Sequence, residues 1–176
     1  MQHIIFFLIP IAAILSLIIG LYLTMNYTFF LNALSMISIE LFSPFSVELS
    51  APFGAAIGLG LLPIISLLLF VNIFASLFVL WNFDLLRHIP KIGRYLDKFD
   101  RKVLKLIEKH NLGHISFFAL FLYFLSPFQA SGVFTIAIIG RLLNMSNKKI
   151  IVIVILGTII GSIIFSSPIY GIKLLF

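Results

Sequence analysis

Four long stretches of this chain contain no Asp, Glu, Lys or Arg: residues 1–39, 49–83, 115–140 and 150–172. A helix needs about 20 apolar residues to cross a ~30 Å hydrocarbon core, and each stretch is long enough. There is none of the strand-like alternation that an outer-membrane barrel requires, so the spans read as helices. Charged residues make up only 10% of the 176, against about 25% in soluble domains. Mean hydropathy is +1.20. The sequence therefore describes an all-α integral membrane protein without a soluble domain, so function must reside within the bilayer. Cysteine is absent, which excludes disulfides, thiolate metal sites and Cys nucleophiles. No nucleophile–base pair, phosphate loop or metal-ligand cluster is visible. The expectation is a protein that is not an enzyme and holds no metal or cofactor.

The net charge of +6 is unevenly placed. No Lys or Arg precedes Arg87, and eight of the twelve fall between Arg87 and Lys109. Beside transmembrane helices the positive-inside rule accounts for such a patch better than nucleic acid does. Residues 84–113 are thus predicted to face the cytoplasm of a multi-pass cell-membrane protein. Within them Ile92, Tyr95, Leu96, Phe99, Val103, Leu106 and Ile107 recur at helical spacing. The opposite face carries Arg94, Lys98, Arg101, Lys102, Lys105 and Lys109. That pattern predicts an amphipathic helix over 91–110, lying flat against anionic lipid and linking two halves.

The rest of the chain divides around this linker. Residues 1–25 read as a first spanning helix, kinked at Pro10. A cleaved signal peptide fits less well: its n-region would lack Lys and Arg, and the apolar run is too long. Residues 26–83 read as a hairpin plus a span. In this reading a half-helix over 26–42 turns at Ser43 and Pro44, Pro44 and Pro52 bracket a break, and a second half-helix over 53–62 climbs back. The alternative is that 26–43 is a full span. Pro63 suits the first turn of the following helix. Residues 114–176 repeat the plan. A break lies at Pro127 and Gly132, a returning half-helix covers 134–143, and a span covers 150–165. A short tail breaks at Pro168.

The two breaks resemble each other. Both begin Ser-Pro-Phe, at residues 43 and 126. A shift of 81 residues pairs Ser50 with Ser131, Phe53 with Phe134, Ala56 with Ala137, Ile57 with Ile138, Leu61 with Leu142 and Leu62 with Leu143. Broken hydrophobic segments in corresponding places of two halves point to a transporter built from repeats. The first hairpin enters from outside and the second from inside, which makes the repeats inverted re-entrant hairpins, the arrangement used for alternating access.

Glu48 is the leading site candidate, because an ionisable group in a membrane segment is costly and usually lines a pathway. The alternative is a loop acid at the surface. Glu40 reads equally as a solvated interfacial acid or a functional one. Ser50, Gln129, Ser131 and Thr135 are placed to meet a polar group of a substrate. Ser131 equally serves as an N-cap. Arg141 is a candidate phosphate ligand, although snorkelling to the surface is the simpler account. Asn72, in mid-span, is expected to bridge helices. GxxxG pairs at Gly54 and Gly58, and at Gly157 and Gly161, offer faces for close packing. The four histidines show no metal-ligand spacing and read as surface residues.

The segment SPFQASGVFTIAIIGRLLNMS resembles the second signature of the small multidrug export protein family, with Pro127, Ala130, Ser131, Gly132, Phe134, Thr135 and Met145 matching its sense. Glu48, Pro52, Gly54, Gly58 and Asn72 match the first signature. The resemblance covers residues 40–165. Gln129, Ser50 and Asn144 depart from it, standing where a second proline, a basic residue and a glycine are usual. The family is distantly similar to DedA-like, VTT-domain transporters, which implies paired re-entrant hairpins, proton coupling and, in some members, lipid transport. The resulting expectation is a small exporter of an amphiphilic or lipid-like molecule, proton-coupled through Glu48, and a homodimer because so few helices enclose a cavity poorly. A structural or assembly subunit of a larger membrane complex is the alternative.

Overall fold

The computed structural model describes residues 2–43, 46–88, 116–126 and 132–175. Seven helices form among them: α1 (Gln2–Thr24), α2 (Tyr27–Phe42), α3 (Ser46–Ala56), α4 (Leu61–His88), α5 (Ser116–Phe124), α6 (Gly132–Leu142) and α7 (Asn147–Leu175). Three are long and apolar enough to cross a membrane, over Ile5–Thr24, Leu61–Leu85 and Asn147–Ile172. At 1.5 Å per residue the 16 residues of α2 reach about 24 Å, and the 11 of α3 and of α6 about 16 Å each, short of a ~30 Å core. The amphipathic linker, apart from the end of α4, lies outside the described residues. So do Pro44, Pro127, Gln129 and Ser131.

Two prolines fail to end their helices, and in each case a side chain takes over the carbonyl that proline leaves without a donor. In α1, Pro10 frees the Phe6 carbonyl, and Asn82 of α4 donates its amide to that oxygen at 3.3 Å. In α7, Pro168 frees the Ile164 carbonyl, and Ser167 donates its hydroxyl there at 2.9 Å. The expected break at Pro168 is therefore corrected: α7 continues to Leu175. Pro52 likewise sits inside α3, so the expected half-helix over 53–62 is replaced by Ser46–Ala56.

The chain turns instead at Gly58, whose φ of +94° is the left-handed conformation that glycine adopts without penalty. The Gly58 N–H donates to the Ala55 carbonyl and the Leu59 N–H to the Gly54 carbonyl, the paired bonds of a Schellman cap. An equivalent cap closes α6. Asn144, at φ +52°, donates to the Arg141 carbonyl, and Met145 donates to the Gly140 carbonyl.

The same spacing recurs among the helices. The starts of α3 and α6, Ser46 and Gly132, lie 86 residues apart, as do those of α4 and α7, Leu61 and Asn147. Contacts recur at the same offset. A Cβ on Gly54 would meet Ile64 Cγ1 at 3.0 Å, and one on Gly140 would meet Ile150 Cγ1 at 2.6 Å. The helix starts are thus spaced by 86 residues, whereas the residue pairing read from the sequence has a shift of 81.

The long helices run antiparallel. Tyr170, near the end of α7, donates its hydroxyl to the Leu59 carbonyl just before α4. Arg141, which bonds Asn147 at the start of α7, lies over the ring of Phe83 near the end of α4. Two short helices pack along a long helix from across the linker: α3 on α7, with Val47 against Gly161, and α6 on α4. The core sits between them, with Ile64, Leu68, Val71, Ile136, Ile150 and Ile153 almost fully buried. α1 stands outside this nucleus, its flank on α4 through Phe6 with Trp81 and Phe7 with Phe78.

Candidate functional site

The centre of the polar site is Glu40. On α2 the buried positions are Ala33, Met36, Ile37 and Glu40, one helical face that is apolar until its last member. Glu40 is only 3% exposed. α3 begins a few residues later, and its Ser46 and Ser50 share a face at i,i+4 spacing. Ser46 donates its hydroxyl to Glu40 Oε1, and Ser50 donates to Oε2. Asn72, in the middle of α4, lies near enough to act on this side chain. Every partner described for Glu40 is thus neutral, and the one ionisable neighbour acting on it is a second acid, Glu48.

Both halves of the chain reach this point. Gly132, the first residue of α6, lies so close to Ser46 that any Cβ there would overlap Ser46 Cβ and Oγ. The N-terminus of α6, where unpaired N–H groups favour negative charge, therefore abuts the hydroxyl that holds Glu40. Asn72 donates its Nδ2 to Thr158 Oγ1 of α7 at 3.1 Å. Ser46 with Gly132 and Asn72 with Thr158 are each separated by 86 residues, so residues on either side of the linker touch.

The sequence-predicted residues fare unequally. Glu48 is 9% exposed, in the first turn of α3, and not on an open surface. Ser50 is fully buried on Glu40. Thr135 is half-buried, one turn into α6. Arg141 stands nine residues beyond Gly132, about 14 Å along the helix, and is not brought to Glu40. It lies 5.4 Å from the Phe83 ring centroid and donates to Asn147 Oδ1 at 3.4 Å. Gln129 and Ser131 are outside the described residues. Asn72 bridges helices as expected. His88, exposed on α4, places Nδ1 2.6 Å from the Asp84 carbonyl. Among the described residues no group of His, Asp and Glu could hold a metal ion.

Glu40 is the residue whose place the sequence left undecided. The intervening Pro44 argues against a helix that would put Glu40 and Glu48 on one face, and the chain meets that objection by folding back, so that α3 returns its hydroxyls to the end of α2. The available signal was the spacing of Glu40 from Ala33, Met36 and Ile37, which puts an acid on the buried face of an apolar helix.

Comparison with curated proteins and with solved structures returns no significant match. A family model described as "Putative small multi-drug export protein" matches residues 46–164, which hold α3 through most of α7 and exclude α1 and α2. With well over half its length matched, from the Ser46 contact to beyond the Thr158 bridge, this chain belongs to the small multi-drug export protein family.

Proposed function

We propose that the protein is a multi-pass exporter of an amphiphilic or lipid-like small molecule, coupled to protons through the Glu40 and Glu48 carboxyl groups. The observation that carries this reading is the surroundings of Glu40: a buried acid, held by two hydroxyls, beside a second acid. A bare carboxylate at such depth is expensive, and binding a cation relieves the cost. A proton and a cationic substrate competing for one site is the simplest form of exchange. In this proposal α2 with α3 and α5 with α6 are re-entrant hairpins and the halves are inverted repeats. The antiparallel long helices, the short lengths of α2, α3 and α6 and the shared 86-residue offset support this. Residues 84–113 face the cytoplasm and rest on anionic lipid, and a homodimer completes the cavity. Gln129, Ser131 and Thr135 line the second hairpin, while Arg141 serves the cytoplasmic end.

The structural-subunit alternative would use the glycine faces for assembly. Three of the four glycines are occupied within the chain, Gly54 by Met36 and Ile64, Gly157 by Phe124 and Gly161 by Val47, while Gly58 is open.

The test is ethidium efflux from proteoliposomes driven by an imposed pH gradient. Glu40→Gln is expected to abolish gradient-driven efflux and Glu40→Asp to retain part of it, with both variants monodisperse in detergent. Unchanged dependence on the gradient in Glu40→Gln would sink the coupling assignment.

A further inference from the structure

One polar feature is not used by the site as described. On α7, Thr158, Ser162, Ser166 and Tyr170 recur every four residues and so form a single stripe. Thr158, Ser162 and Ser166 are each 0% exposed. The ends of the stripe have partners: Thr158 accepts from Asn72 at 3.1 Å, and Tyr170 donates to the Leu59 carbonyl at 2.6 Å. The middle does not. The Ser162 and Ser166 hydroxyls are buried without a hydrogen-bond partner among the described residues. On α4, across the Thr158 bond, Asn72 Oδ1 is also buried and without a partner. Buried polar atoms are almost always satisfied, and three unsatisfied along one line indicate water or an ion.

The stripe has a direction. α3 lies along it, since a Cβ on Gly161 would be 3.1 Å from Val47 Cγ1 and Leu59 follows α3 at the far end. Ala51 and Ala55, which share the Val47 face by helical spacing, are small. From Thr158 to Tyr170 is about 18 Å, over half the hydrocarbon core. The inner end is Asn72, which lies near enough to act on Glu40; the outer end is Tyr170, half-buried beside the exposed Gly58 and Gly60 turn. The matching positions of the other half, 86 residues earlier, are Asn72, Ser76, Leu80 and Asp84. There Ser76 is satisfied by the Ile73 carbonyl, and Leu80 and its neighbour Phe83 are buried apolar side chains.

We infer that the α3–α7 interface is a hydrated lane by which protons, as hydronium or along ordered water, reach Glu40 from the face bearing the Gly58 turn, while Leu80 and Phe83 seal the opposite route. The groups facing the lane that titrate are Glu40, Glu48 and Tyr170. Arg141 lies at the sealed end beside Phe83, and His88 at the end of α4. The inference rests on the proposed role of Glu40 only for what the lane serves; whether the lane holds water is a separate matter.

The chain is free of cysteine, so single thiols report cleanly. Full-length S162C, S166C and, as a lipid-facing control, I163C (native Ile163 is 45% exposed) are reconstituted in vesicles and treated with Ag+, a thiol-reactive cation narrow enough for a single-file path. Residual thiol is then read by maleimide alkylation in denaturing detergent. The expected result is loss of alkylation at S162C and S166C, with I163C still alkylated. If both serine positions remain alkylated like I163C, the lane is dry and the inference is overturned. Should one serine variant fail to fold, the other gives the same reading. Glu40→Gln in the S166C background separates the two ideas. Ag+ protection that persists while pH-driven ethidium efflux in Glu40→Gln alone is unchanged keeps the lane and removes its assigned role.

Discussion

Asn72 and Thr158 join the long helices at equivalent places, and their bond is the test of how much a single polar contact holds the halves together. Interhelical hydrogen bonds in membranes contribute on average only about 0.6 kcal/mol, because the unfolded helix also finds partners. Asn72→Leu and Thr158→Val, combined in a double-mutant cycle against unfolding in SDS, are expected to show a coupling of about 1 kcal/mol or less. Gly132→Ala should be far worse. The new Cβ would overlap Ser46, and the backbone there has φ +53°, so both the packing of α6 on α3 and the hold on Glu40 are lost. The expected readout is a lower melting temperature together with abolished efflux. Asn72 was legible as a helix bridge from its position in mid-span, whereas Glu40 was not placed: its neighbours in space, Ser46 and Ser50, follow a turn that carries them back along α2.

At the scale of elements, prolines were misleading and glycines informative. Pro52 and Pro168 read as breaks, since a lone helix in lipid cannot leave a carbonyl unsatisfied. Ser167 shows why the second is not one: the residue beside the proline supplies the missing donor. Ser167→Ala is expected to destabilise α7 near Ile164 and to raise amide exchange locally, without changing the fold. The true stops are the two Schellman caps, at Gly58 and Asn144. Gly58→Ala should cost about 1–2 kcal/mol, because a side chain in the left-handed region is strained. Circular dichroism against detergent denaturation would measure it. The helical class and the apolar spans were readable from the charge-free runs. The helix ends were not, because they are set by caps and by contacts between distant segments.

Across the whole molecule, the packing of α3 on α7 and of α6 on α4 means that each half is completed by the other. The two halves share one core, with Val47 packed on Gly161 and Arg141 over the Phe83 ring. The molecule is therefore interlocked like two clasped hands, and its chain continuity between them is dispensable once assembled. Co-expressed fragments 1–100 and 101–176 are expected to co-purify as one functional particle, whereas either fragment expressed alone should be degraded. Recovery of a folded single fragment would contradict this packing. What joins the halves in the finished protein is then a surface both must bring, and the peptide bond between them matters mainly for ensuring that one of each arrives.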